Sequence, residues 1–221
     1  SIDAAGVAGD LELSTLADGD FAFVGSAGTT TLTLKTVLDA DDDVSFASAG
    51  ELDLILDADG TFDLTEVDVS DINSIDVTTG DTVTLTIAQA YAIGADNISG
   101  EGTLALTELD ETPFSLGDFD VNVVVNTVAV VEQAEVTLDP TTDLTGVDTL
   151  QVYEGTTLNM TAAQYQQLTG SGDIDVLDGA DDGTGVDASS VTINITDLAQ
   201  ADLDPDALNT SDVDADIVLN I

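Results

Sequence analysis

Apolar and polar residues alternate in short runs along most of the chain. The runs "TLTLKTVL" (31–38), "AGELDLIL" (49–56), "TVTL" (82–85) and "TLALTEL" (103–109) place aliphatic side chains at every second position, with Thr, Asp or Glu between them. Period two predicts strands with one face in a core and one in water. In "TVTL", Val83 and Leu85 face one way and Thr82 and Thr84 the other. Clusters of Gly, Asp, Thr and Asn separate the runs and predict turns. Two phrases break the alternation: "LTIAQAYAI" (85–93) and "MTAAQYQQL" (160–168). Both predict one or two helical turns, N-capped by Thr86 and Thr161. Helices this short do not stand alone, so each must lay its Ala and Ile or Leu side on the strands. Ala88 and Ala163 are expected to allow close packing there. Gln89 and Gln164 are expected to satisfy backbone groups at the turn rather than to bind a ligand.

The two phrases belong to a repeat. Shifted by 75 positions, residues 72–93 fall on 147–168 without a gap. Val77/Val152, Gly80/Gly155, Thr82/Thr157, Thr86/Thr161, Ala88/Ala163 and Gln89/Gln164 are identical, and the apolar sites exchange like for like. Weaker echoes at 31–56 and 191–221 bring the count to about four degenerate units of irregular length, a pattern expected of stacked supersecondary units. Each unit reads as a strand pair joined at the Gly80 or Gly155 turn, a helical corner, a Gly-rich loop and a further strand. The expected fold is all-β, a parallel β-solenoid or β-helix-like stack with short helical turns. One or two Ig-like β-sandwiches are the alternative, since a period of 75 exceeds a single coil. The expected division is 1–110 and 111–221, with two units each, or one continuous domain.

Charge changes this picture. Asp and Glu number 45 against one base, Lys35, for a net charge of −44, and 36 of the acids are Asp. With 43% apolar residues the chain is not a disordered acidic tail. Charge pairs roughly 20 Å apart, screened over about 8 Å, cost on the order of 0.02 kcal/mol each. Roughly 900 such pairs sum to about 15–20 kcal/mol, against a net stability of about 5–15 kcal/mol. Bound cations, high salt or a very elongated shape are therefore expected. Nucleic acid and anionic membrane are excluded as partners by sign. No run approaches the roughly 18 apolar residues of a membrane span; "VNVVVNTVAVV" (121–131) is short and broken by Asn122 and Asn126. The sequence opens at Ser1 without a signal-like segment, as expected of a processed chain or a piece of a longer one.

His and Cys are absent, which removes Cys or Ser–His nucleophilic catalysis and ordinary zinc sites. Lys35 follows no Gly-rich phosphate loop. Paired Asp residues could hydrolyse glycosides, but nine aromatics and no Arg make poor sugar subsites. No enzymatic activity is expected. Hard cations suit the acidic turns better, since clustered carboxylates and carbonyls supply several oxygens. The candidate calcium ligands are Asp39, Asp41, Asp42 and Asp43; Asp57, Asp59 and Asp63; Asp178, Asp181, Asp182 and Asp187; and Asp202, Asp204 and Asp206. None of these runs is an EF-hand loop. From Asp57 the glycine comes at position 4, and from Asp202 positions 6 and 12 are Ala207 and Val213. The competing reading is a set of solvated acidic loops in a salt-adapted protein. Sequons at Asn97, Asn159, Asn194 and Asn209 carry little weight in a Thr-rich chain.

The phrases "GDTVTLTIAQ" and "GTTLNMTAAQ", with Thr-rich strands and Asp/Gly loops, resemble repeat regions of large bacterial extracellular proteins: calcium-dependent adhesins of the RTX secretion type and S-layer proteins. The resemblance covers about a third of the chain. The glycine-rich nonapeptide of calcium-binding β-rolls is missing, with "DGADDGTGVD" (178–187) only a loose relative. The resemblance implies secretion to the cell surface, calcium, and a structural or adhesive role. Two functions are expected in that order. The first is an extracellular protein that assembles with copies of itself into a filament, sheath or S-layer, its apolar strands finding partners by strand addition. The second is an adhesin or ligand-binding module, with surface glycans among its possible ligands and an exposed aromatic loop. Phe114 and Phe119 beside Pro113 are the candidates for that loop, whereas Phe21, Phe23, Phe46 and Phe62 alternate like core residues.

Overall fold

The structure, a computed structural model, describes residues 1–15, 20–39, 42–110, 113–115, 118–119, 124–130, 135–147, 149–153, 155–168, 173–177, 190–196 and 216–220. Parallel sheets form a β-solenoid of about six turns. Every register that can be followed is parallel, which removes the antiparallel sandwich alternative. The chain divides into two compact units: Ser1–Ala105 with Asp118–Val124, and Leu106–Gly117 with Val125–Ile221.

The first unit contains β1 (Ile2–Asp3), β2 (Leu11–Thr15), β3 (Phe21–Val24), β4 (Thr29–Leu34), β5 (Val44–Ala47), β6 (Glu51–Leu56), β7 (Thr61–Asp63), β8 (Ser74–Val77), β9 (Thr82–Thr86), α1 (Ile87–Ile93) and β10 (Ile98–Gly100). One sheet runs β1-β3-β5 and another β10-β8-β6-β4-β2, while β7 pairs with β9. Strands adjacent in sequence therefore lie in different sheets. The repeat suggested that "IDV" and "TVTL" form a pair, and they do not. They are β8 and β9, separated by the Gly80 corner (φ +94°), and each pairs with strands one coil away. A two-residue hairpin would have made them antiparallel neighbours; the corner instead turns the chain onto the next face.

Coil length follows from the register: Leu13 stands on Leu32, Leu32 on Leu54, Leu54 on Ile75 and Ile75 on Ile98. From Leu32 onward every member of this column is at most 1% exposed. Phe23 on Phe46 makes a second column, and Phe21 meets Phe46 edge to face at 5.8 Å. The apolar half of each alternating run thus fills the coil, and burial at about 25 cal/mol per Å² is the main stabilising term. Where coils approach most closely only glycine fits: a Cβ on Gly50 would lie 2.1 Å from the Gly28 carbonyl oxygen.

After β11 (Thr103–Leu109), the second unit contains β12 (Val124–Val130), β13 (Glu135–Thr137), β14 (Thr149–Tyr153), β15 (Thr157–Met160), α2 (Ala162–Leu168), β16 (Asp173–Leu177), β17 (Ser190–Ile195) and β18 (Asp216–Asn220). β14 pairs with β12 and β16, and a four-stranded sheet runs β13-β15-β17-β18. Within this unit Leu158 stands on Ile193 and Met160 on Ile195, each residue at most 6% exposed. Asn194 Nδ2 donates to Asn159 Oδ1 at 2.8 Å, so two of the four sequon asparagines form a ladder between coils.

Candidate metal-binding corners and the acidic surface

Both helical corners are built by the same device. Gln89 Oε1 accepts the Thr86 N–H, and Thr86 Oγ1 accepts the Gln89 N–H, a complete capping box. Gln89 Nε2 then donates to the carbonyls of Leu64, Thr65 and Val67 in the preceding coil, at 2.7–3.1 Å. Gln164 does the same with Thr161 and with the carbonyls of Asp139 and Thr142. Each glutamine fastens one coil to the next, as the sequence led us to expect. The alanine expectation fails: Ala88 and Ala163 are exposed. The buried residues of α1 are Ile87, Ala90 and Ile93, spaced by three, which turns position 88 to solvent.

Six of the candidate metal ligands lie among the described residues. The Asp42 carboxylate accepts the Asp39 N–H at 2.9 Å, and the Asp43 N–H donates to Asp20 Oδ1 one coil away. Asp57 pairs with Lys35 on the exposed surface, a contact worth little in water. Asp59 takes a left-handed turn conformation with φ +55°. Asp63 accepts the Thr65 N–H at 3.0 Å and its hydroxyl at 2.6 Å. Asp41, Asp178, Asp181, Asp182, Asp187, Asp202, Asp204 and Asp206 lie outside the described residues. Among the described residues no three acidic groups converge as a metal cage requires. Asp39 and Asp42 close one turn on each other, Asp43 bonds to the neighbouring coil, and Asp63 is engaged in its own turn.

The same motif, Asp followed two residues later by Thr or Ser, recurs at Asp68/Ser70, Asp139/Thr141 and Asp143/Thr145. In these Asx turns the carboxylate accepts its neighbour's N–H. Asp68 is held below the usual carboxylate range chiefly by the Ser70 backbone N–H, and Asp139 and Asp143 chiefly by the hydroxyls of Thr141 and Thr145.

Sequence reasoning passed over Asp81. It is 1% exposed and accepts the Gly60 N–H at 2.8 Å, the Thr78 hydroxyl at 2.7 Å and the Ala58 N–H at 3.2 Å. It ties the Gly80 corner to the loop one coil below. Its only signal was an acid placed between a turn glycine and an alternating run, in a chain full of such acids.

The acidic exterior has an order of its own. In the ladders, Glu12 stands beside Thr31, Glu51 beside Thr29, Asp53 between Thr31 and Ser74, Asp76 between Ile55 and Ser99, and Asp63 beside Thr84. In the second unit Glu135 stands beside Thr157, Asp173 beside Thr149, Asp175 beside Gln151 and Asp216 beside Ser190. In no described register does one carboxylate oppose another. Thr29 and Ser74 turn this into hydrogen bonds to Glu51 and Asp53, at 2.9 and 2.7 Å. Strand neighbours sit about 4.8 Å apart, where like charges repel most strongly. In the described ladders, hydroxyl, amide and apolar partners keep carboxylates from standing directly opposite one another.

The two aromatic residues considered for an exposed loop are buried. Phe114 is 2% exposed, and Phe119 is 6% exposed and packs on Tyr91 at 6.0 Å. No helix among the described residues is long and apolar enough to cross a membrane. Comparison with family models, curated proteins and solved structures returns no match to the chain.

Proposed function

We propose that this chain is a secreted structural protein whose copies assemble at the cell surface into a filament, sheath or S-layer, with calcium stabilising the assembly. The observation that carries the reading is the acidic exterior set on parallel ladders, in which no described carboxylate stands opposite another. The exterior keeps copies apart until its charge is neutralised, so cations act as the regulator of assembly. Calcium acts here as a bridge between facing acidic surfaces, a role that needs no cage within one copy. The adhesin alternative loses its support in the burial of Phe114 and Phe119.

The test is direct. Chelator-treated protein receives millimolar calcium, or NaCl to the same ionic strength, and is imaged by negative-stain microscopy. Ordered fibres or sheets are expected with calcium. Monomers that persist under both conditions would sink the proposal.

A further inference from the structure

β6 leads into β7 through a corner that ends in Asp59–Gly60. Asp59 is exposed and Gly60 half-buried. Packing dictates the glycine. A Cβ there would lie 2.4 Å from Val37 Cγ1 in the preceding coil, and a β-branched side chain has little rotamer freedom to move aside. An aspartate followed by glycine is unusually open to ring closure, because glycine sets no side chain beside its own nitrogen. In that reaction the Gly60 nitrogen bonds to Cγ of Asp59. The nitrogen's proton joins the departing carboxyl hydroxyl, and water leaves. A water molecule then opens the cyclic imide. Opening at the Asp59 backbone carbonyl leaves isoaspartate, whose main chain runs through Cβ. The net mass is unchanged, but the corner gains one main-chain carbon.

The structure holds the two reacting groups apart. The Gly60 N–H donates to Asp81 Oδ1 at 2.8 Å. Asp81 is 1% exposed, and the Thr78 hydroxyl and the Ala58 N–H fix it at 2.7 and 3.2 Å. On the other side, a Cβ on Gly80 would come within 3.3 Å of Asp59 Oδ1, so the Asp59 carboxylate is set against the Gly80 corner of the following coil. Attack needs a nitrogen that has given up its proton and carries negative charge. A carboxylate bonded to that N–H retains the proton and opposes the charge. We propose that Asp81 guards the Asp59–Gly60 peptide bond and keeps Asp59 from converting to isoaspartate in the folded protein. Asp59 is the modification site that opens when this anchor is lost. The guard works within one copy and does not depend on assembly. A charge-assisted hydrogen bond that must break before attack slows the step by roughly 10–100-fold.

The test ages the full chain in neutral buffer, folded and unfolded in guanidinium chloride. Cleavage after Glu51 and Glu66 releases the peptide 52–66, and mass spectrometry with electron-transfer fragmentation reads its isoaspartate content. Circular dichroism confirms that each variant folds. In the unaltered chain Asp59 should convert roughly 10–100-fold more slowly folded than unfolded. Asp81→Ala should bring the folded rate close to the unfolded one. Asp81→Asn, which keeps an oxygen acceptor but not the charge, should fall between, and it carries the test if Asp81→Ala does not fold. Gln89→Leu loosens the same unit without touching the Gly60 N–H, and it should leave the rate near that of the unaltered chain. Equal rates in the folded and unfolded unaltered chain, no acceleration in the Asp81 variants, or an equal acceleration in Gln89→Leu would overturn the guard.

Discussion

The two helix-bearing coils answer the same structural demand with different residues. In the first unit, the coil of β8, β9 and α1 fastens itself with the buried carboxylate of Asp81 and with Gln89, which is half-buried and reaches three carbonyls. In the second unit, the coil of β14, β15 and α2 has Thr156 at the position of Asp81, buried at 2%. Gln164 is also 2% exposed and reaches two carbonyls. Tyr165 replaces Ala90, and both are fully buried. One corner relies on a charged anchor and a small helix face, the other on a dry amide and a large ring. The glutamine is common to both because it alone caps the helix and crosses to the next coil.

Exchanging residues between the corners should break this comparison most sharply at the ring. Tyr165→Ala, which installs the first unit's residue, should cost about 3–5 kcal/mol because the second corner cannot close on the cavity. Urea unfolding followed by circular dichroism reads the loss, and a cost under about 1 kcal/mol would show that Tyr165 is not a packing element. Next come the glutamines. Gln164→Leu should cost about 2–4 kcal/mol and Gln89→Leu about 1–3, although Gln89 makes more bonds, because Gln164 is 2% exposed and Gln89 is only half-buried. The reverse order in the same unfolding series would contradict the dry-corner account.

A smaller effect is expected at the anchor. Asp81→Ala should cost about 1–3 kcal/mol by orphaning the Ala58 and Gly60 N–H groups. A loss within the error of the unfolding series would mean that the carboxylate is not the anchor. The smallest effect concerns pH. The folded values of Asp68, Asp139 and Asp143 lie below their unfolded ones. Their contribution is therefore present above the unfolded value, near 3.8, and is lost as pH falls through the lowered folded values. Carboxylate chemical shifts followed by NMR should show midpoints below 3.8 for these three.

Much of the architecture could be read from residue order. Alternation at Thr82–Leu85 predicted which side chains share a face, and Thr86 as an N-cap followed by a turn glutamine predicted the corner and the role of Gln89. The coil length was harder to see. "SAG" at 26–28 and again at 48–50 carries the 22-residue step directly, with the glycines stacked at the same corner. Elsewhere successive coils share only column apolarity, which aliphatics satisfy interchangeably, so Leu32, Leu54 and Ile75 leave no phrase to match. The 75-residue shift stood out because it links the two capping boxes and passes over the coils between. The roles of the acids were the least legible. A carboxylate accepts an N–H in an Asx turn with the same lone pairs it offers a cation, and Asp63, engaged by Thr65, looks in sequence like any metal ligand.

The central claim is that calcium acts on this acidic surface as more than an electrolyte. Its most direct test is the melting temperature of chelator-treated protein, titrated with calcium and separately with NaCl at equal ionic strength. The account predicts a rise of many degrees with calcium, well beyond the rise with NaCl. Equal shifts from the two salts would contradict it.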